Sequence, residues 1–358
     1  MARFRVLDAG SFEDLERWRR LWLAWPGRDI MAHPDYARLF ARPCDRVVAA
    51  LSEEEHGAIL FPLLLRPLSA EPWAGAGERR WDAVSPYGYG GPFAWGQRAQ
   101  DDRTFWEAYA SWCERERVVS TFARLSLFPD LLARLPEDVE ERAQNVVVPL
   151  ERGPEALWQG YESKVRKWVR TAQDAGLVVE RDPTGARLGD FLAVYTHTMQ
   201  RNGASPWYFF PRPFFETLAD RLSGSFTYFH CLHEDRVVSS DLILHTPDRA
   251  YYFLGGTYAD AFPLGPNYVL KHRTLCWAAE QGLKALVLGG GYQPNDGLFR
   301  YKRAFARRDG LVPFRVACLT HDAPACRELE TDCAEYQAIH GAGRAPVPGF
   351  FPTYRAWP

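Results

Sequence analysis

The chain has no cysteine framework, no long apolar run and almost no net charge, and each absence removes a class of function. Its seven cysteines (44, 113, 231, 276, 318, 326 and 333) are odd in number and irregular in spacing. They read as thiols in a reducing compartment, which makes a cytoplasmic protein the expectation. The longest apolar run, AILFPLLL at 58–65, is broken by Pro62 and too short to span a bilayer. The first residues, MARFRVLDAG, lack the core of a signal peptide. A formal charge of −2 sets up no global field for DNA or an anionic membrane, so any polyanion must meet a local patch. There is no Gly-x-Ser-x-Gly elbow, no recognisable Cys–His pairing and no Walker loop, which argues against a protein nucleophile. His230-Cys231-x-His233 comes nearest to a metal pattern, but alternating strand side chains point to opposite faces, so no metal site is expected.

What is present is ordinary globular composition with an excess of rings. Hydrophobic residues make up 47% and charged residues 25%, beside 13 Trp, 16 Tyr and 22 Phe. A length of 358 residues suits two domains better than one core. Helical periodicity marks 11–25, 33–42, 101–118, 153–176, 187–203, 211–224 and 266–282. Strand character marks 46–68 as a hairpin, then 121–128, 177–182, three strands within 226–258 and 284–291. Helices, an antiparallel meander, a helix and a further strand occur in both halves. The pattern predicts an α/β (α+β) fold of two similar domains, each a mixed, mostly antiparallel sheet flanked by helices. Residues 1–150 form the first domain and 151–317 the second. The Pro- and aromatic-rich tail 318–358 is expected to pack back on the first.

Two basic clusters stand out. LVLGGGYQPNDGLFRYKRAFARRDG (286–310) runs from an apolar strand through three glycines into Arg300, Lys302, Arg303, Arg307 and Arg308. SKVRKWVRTA (163–172) places Lys164, Arg166, Lys167 and Arg170 on a helix whose Val165, Trp168, Val169 and Ala172 mark the buried side. The absence of acids between Ser163 and Gln173 favours an anion, and phosphates suit such a face. The plainer reading of either cluster is a solvated helix face. In SPYGYGGP (85–92), Gly88, Gly90 and Gly91 permit close backbone approach while Tyr87 and Tyr89 offer hydroxyl or stacking contacts, or simply build a tight turn. Tyr252 and Tyr258 share strand parity unless Gly255 and Gly256 make a bulge. Asp241, in SSDLIL, is a carboxylate on a central strand that either accepts a proton or is a satisfied buried acid.

The second-half pattern resembles the GNAT acyltransferase superfamily. SKVRKWVRTAQDAGLVVE, GLFRYKRAF and DAVSPYGYGGP more closely resemble its FemABX-like branch, tandem GNAT proteins that attach amino acids to amines from aminoacyl-tRNA, including peptidoglycan-bridge enzymes. That resemblance implies an N-acyltransferase with Lys302 at the donor–acceptor junction, beside the oxyanion that forms in acyl transfer. It implies acceptor contacts from Tyr87, Tyr89, Tyr208, Arg212, Tyr252, Tyr258 and Tyr301, and donor-phosphate contacts from Lys164, Lys167, Arg170 and Arg303. Aminoacyl-tRNA is the expected co-substrate, with no resident cofactor. The acceptor would be an amine on a peptidoglycan precursor or a small metabolite. Acyl-CoA-using relatives hold the pyrophosphate with a Gln/Arg-x-x-Gly-x-Gly/Ala turn. Here that interval reads YADAFPLGPNYVLKH, with one glycine and with Pro266 removing a donor. The alternatives are an acyl-CoA-dependent N-acetyltransferase and a non-catalytic tandem GNAT protein that binds a precursor.

Overall fold

A computed structural model describes residues 3–97, 102–136, 139–306, 310–341 and 345–357. In chain order its elements begin with β1 (Arg3–Asp8), α1 (Phe12–Ala24), α2 (Pro34–Leu39), β2 (Arg46–Glu53) and β3 (Gly57–Pro67). Next come β4 (Trp81–Val84), β5 (Phe93–Gly96), α3 (Asp102–Glu116), β6 (Val118–Arg124) and β7 (Glu140–Pro149). These are followed by α4 (Gly153–Gly160), α5 (Ser163–Asp174), β8 (Val178–Asp182), α6 (Leu188–Arg201) and α7 (Arg212–Arg221). The meander β9 (Phe226–His233), β10 (Arg236–His245) and β11 (Arg249–Thr257) leads to α8 (Pro266–Glu280), β12 (Ala285–Gly289) and α9 (Gly297–Arg303). The chain closes with β13 (Leu311–Thr320) and α10 (Ala323–His340). The chain divides into two compact units. The first holds residues 1–25, 31–142 and 314–358, and the second 26–30 and 143–313.

In the first unit the strand order is β1-β2-β3-β4-β6-β13, with β5 on β3. The hairpin β2–β3 is antiparallel and β4 runs parallel to β6. Phe61, Leu63, Phe105, Tyr109, Trp112 and Leu319 are among the residues of its core. The aromatic face of α3 supplies Phe105, Trp106, Tyr109 and Trp112 to it, as its periodicity predicts. Gly96 sits at φ +72° opposite Gly57, and a Cβ there would lie 1.9 Å from the His56 carbonyl oxygen. Gly96→Ala is therefore expected to destabilise this unit by more than about 2 kcal/mol, read as a lowered thermal midpoint. The tail does not stay irregular: α10 occupies 18 residues, and Tyr354 beyond it is buried with its hydroxyl 2.8 Å from Ser120 Oγ. Arg355 there pairs with Asp82 and Glu71.

In the second unit the order is β7-β12-β11-β10-β9-β8. All pairings are antiparallel except β11 with β12. Val165, Val169 and Ala172 of α5, at spacings of four and three, are buried with Ile243, Leu270 and Leu286. Each of the valine, isoleucine and leucine side chains contributes about 1.5–3 kcal/mol of burial free energy. The single helix expected over 153–176 is two, because Tyr161 turns inward and the Glu162 N–H is drawn to the Ala304 carbonyl, 3.0 Å away. The mixed α/β class, with mostly antiparallel sheets flanked by helices, agrees with the sequence pattern. Among the described residues no helix is long and apolar enough to cross a membrane.

Candidate active site

The parallel strands β11 and β12 pair only between Arg249–Tyr251 and Ala285–Val287. Beyond that point β11 continues to Thr257 while β12 ends at Gly289, so the two strands part. Backbone groups exposed at such a split must be met by side chains or ligand. One is met by Lys302, whose Nζ donates to the Gly290 carbonyl oxygen at 2.7 Å. The short helix α9 sets that lysine in place. Asp296 caps it, accepting from the Phe299 N–H at 2.7 Å, while Phe299 is buried and the Tyr301 hydroxyl donates to the Asn267 carbonyl at 2.8 Å. Lys302 is itself 7% exposed. Burial, reinforced by the positive charge of Lys271, pulls its ammonium pKa down to about 7, against the opposing pull of Asp296 and Asp241.

Lys271 and Asp241 lie beside it. Both are buried, and Lys271 Nζ donates to Asp241 Oδ2 at 2.7 Å. Burial pushes the Asp241 carboxyl up and the Lys271 ammonium down, and their contact opposes both shifts. Lys271 Nζ stands 3.3 Å from the centroid of the Tyr252 ring, and Lys302 Nζ stands 5.6 Å from the same centroid. Two amines thus lie over one aromatic ring, one of them bonded to a carboxylate. Gly255 makes room for this group, since a Cβ there would lie 2.4 Å from Asp241 Oδ1 and 2.7 Å from the Tyr252 hydroxyl.

Tyr252, Tyr301 and Lys302 come together in the second unit, with Asp241. Tyr258 does not join them. The β10–β11 register shifts between Leu242/Ile243, leaving Phe253 out of the pairing, so the parity of 252 and 258 is broken. Tyr258 instead packs on His197 of α6, ring centroids 5.0 Å apart, under the Arg236 guanidinium. Tyr208 offers its carbonyl to the Tyr195 hydroxyl, and its ring lies 6.5 Å from that of Tyr292. Arg212 is exposed and pairs with Glu216 one turn along α7, at 3.7 Å. Tyr87 and Tyr89 belong to the first unit. The Tyr87 ring meets Phe40 and its carbonyl accepts from the Tyr36 hydroxyl, while Tyr89 packs edge-on against Phe314. On α5, Lys164, Lys167 and Arg170 are all exposed. Lys164 pairs with Glu162 at 3.2 Å, and Arg170 lies over the Trp158 ring. Arg303 is exposed at the end of α9, and Arg307 and Arg308 lie outside the described residues.

Lys271 escaped the sequence reading although two signals mark it. It lies in line with the buried Thr274, Leu275 and Ala278 on α8, at the phase of an apolar residue. Moreover, only five of the 43 basic residues are lysine. Arginine keeps its proton under all ordinary conditions, whereas a buried lysine gives its proton up. A chain that uses arginine almost everywhere and buries two lysines side by side has placed its removable protons there.

The start of α8, where a diphosphate would be expected, is closed. Gly265 adopts φ +68°, and a Cβ there would lie 2.9 Å from the Trp168 ring. Pro266 follows at the first helical position, and the Tyr268 N–H is turned to the Gly265 carbonyl at 3.0 Å. Trp168 and Tyr268 stack with centroids 5.9 Å apart. A cavity of about 1220 Å³ belongs to the first unit, between α3 and α10, with Tyr109 and His321 among its lining; none of the candidate residues is part of it.

Residues 160–303 match the family model of the acetyltransferase (GNAT) domain. This segment is a GNAT domain. It contains Asp241, Tyr252, Lys271 and Lys302, and it supports the expected acyltransferase. The chain is similar in fold to FemX, at 12% identity and a TM-score of 0.60, over 84% of this chain and 95% of that one. A protein of unknown function from Bacteroides thetaiotaomicron aligns at 10% identity and 0.55, over 89% and 100%. The C-terminal domain of a putative lysylphosphatidylglycerol synthetase from Agrobacterium fabrum aligns at 13% and 0.53, over 91% and 95%. No curated protein is significantly similar in sequence. At these identities the structural likeness is one of fold alone.

Proposed function

We propose that the chain is an N-acyltransferase that forms an amide by moving an aminoacyl group from aminoacyl-tRNA to an amine acceptor, a peptidoglycan precursor or a small metabolite. The observation that carries this reading is Lys302, an amine buried at the split between β11 and β12 and poised to lose its proton near neutrality. As the acceptor nitrogen attacks the donor carbonyl, the C–N bond forms and the carbonyl electrons move to oxygen. Unprotonated Lys302 takes the proton that leaves the nitrogen. The ammonium so formed stands beside the oxyanion and stabilises it. Collapse then breaks the bond to the donor's ribose oxygen, which takes the proton back. The acceptor amine is itself the nucleophile, so the step uses no covalent enzyme intermediate.

The choice of donor is supported by the closed start of α8. Pro266 and the Trp168 roof leave a poor cradle for the pyrophosphate of CoA, whereas Lys164, Lys167 and Arg170 are exposed for a longer polyanion. The test is parallel incubation with charged tRNAs and with acyl-CoAs over a pooled amine library, read by mass spectrometry. Transfer from charged tRNA is the expected result. Its binding should weaken roughly thirtyfold between about 50 and 200 mM salt if some three phosphates are contacted. Replacing Lys164, Lys167 and Arg170 together by alanine should flatten that dependence. Transfer from acyl-CoA alone would assign the chain to the CoA-dependent enzymes, and tight precursor binding without transfer from any donor would make it a binding protein.

A further inference from the structure

The proposed reaction gives Lys302 a task and the Lys271–Asp241 ion pair none. That pair is expensive to bury: removing two charges from water costs several kcal/mol, and well-packed apolar residues of the same volume usually serve stability as well or better. The two lysines also differ in their surroundings. Lys271 touches a carboxylate at 2.7 Å, whereas the recorded bond of Lys302 Nζ is to a neutral carbonyl. Two amines stand over the Tyr252 ring, with Asp241 bonded to one and Asp296 facing the other from the head of its own helix. The cheaper proton to release is the one whose amine lacks a carboxylate in contact.

We infer that Lys271, clamped by Asp241, is a positioning residue that acts through Lys302: its fixed positive charge drives the proton off Lys302 and so holds that amine ready to accept the proton of the attacking nitrogen. This rests on the reaction proposed for Lys302. Among the described residues the groups facing Lys302 are Lys271 from α8, Asp241 from β10, the Tyr252 ring from β11 and Asp296 at the head of its own helix. Of these, Lys271 alone lowers its proton affinity by charge, and burial acts in the same direction. The proton balance closes within the site: one proton passes from the acceptor nitrogen to Lys302 and onward to the leaving oxygen, while Lys271 keeps its own throughout. Lysine rather than arginine at 302 follows directly, because a guanidinium could not accept it.

The scarcity of lysine makes the test direct. The full chain, carrying ¹³C at lysine Cε, gives five signals to follow against pH, each assigned by the loss of one signal in a Lys→Arg variant. In the unmodified protein Lys302 is expected to titrate near pH 7 and to release its proton before Lys271, whose amine keeps a carboxylate in contact. Lys271→Met should raise the Lys302 midpoint by more than about one unit, since it removes a cation and leaves the Asp241 charge; Lys271→Arg should leave the midpoint within about half a unit. The acid limb of kcat against pH should move in parallel. Should Lys271→Met fail to fold, the unmodified protein still decides, through which amine loses its proton first. Lys271 losing its proton before Lys302, or a Lys302 midpoint that does not move in folded Lys271→Met, overturns the inference and leaves the reaction reading standing. A Lys302 midpoint near the ordinary value of about 10.4 in the unmodified protein overturns both.

Discussion

Lys302→Ala is expected to lower kcat/KM by about 10²- to 10⁴-fold, the range in which a positioned proton acceptor contributes. The loss should fall mainly on kcat, because the amine acts on the transition state rather than on bound substrate. Lys302→Arg is expected not to restore activity, although it keeps positive charge beside the oxyanion. A purely electrostatic role would predict substantial rescue, so the arginine variant separates the two. The same position makes a stability prediction of opposite sign. The folded pKa of about 7 lies below the 10.5 of the free side chain, so the native state binds fewer protons than the unfolded chain between those values. Burying this ammonium therefore costs most below about pH 7, and the cost fades as pH rises toward 10.5. A shift of this size corresponds to a penalty on the order of 5 kcal/mol, in part offset by the bond to Gly290 and by packing. Lys302→Met should accordingly unfold at a higher temperature than the unmodified protein at pH 6, with the difference shrinking toward pH 10. Thermal melts at the two pH values check it.

Asp241→Ala should be the most destabilising single change in the second unit, by about 3–5 kcal/mol, because it leaves Lys271 buried with its charge uncompensated. The double variant Asp241→Leu with Lys271→Met should recover most of that loss. This pattern is expected because the cost lies in the orphaned charge rather than in the lost attraction. Denaturant unfolding of the two single variants and the double gives the coupling energy. Near-additive losses would mean that the pair is not an ion pair in the folded protein. Recovered stability combined with lost transfer is the expected signature of a pair retained for chemistry.

Most of the regular elements were legible in the sequence, for local reasons. The three helices that frame the second unit's meander carry apolar residues at helical spacing and end at Gly176, Gly203 and Gly282, each with positive φ. The strands of that meander alternate or run apolar between polar turns. What escaped was governed by partners distant in sequence. β1, β7 and β13 carry little pattern of their own and are strands because β2, β12 and β6 supply their hydrogen bonds. The break between α4 and α5 depends on a carbonyl at Ala304, far along the chain. α9 is too short to show periodicity and exists because Asp296 caps it and Phe299 is buried.

The candidate site divides along the same line. The sequence alone determined that this is an α/β chain with a basic, glycine-led segment after its last apolar strand in the second half, and it singled out Lys302, Tyr252, Tyr301 and Asp241. It also determined that Pro266 stands where a phosphate cradle would need a donor. Only the tertiary structure decided that Lys302 is buried at a parting of parallel strands, that Tyr258 turns away from Tyr252, and that Lys271 stands between Asp241 and the Tyr252 ring. Periodicity reports which face of an element is buried. The protonation of an amine is set by charges and solvent within a few ångströms, and those neighbours arrive from β10, β11 and α8, which meet only when the chain has folded.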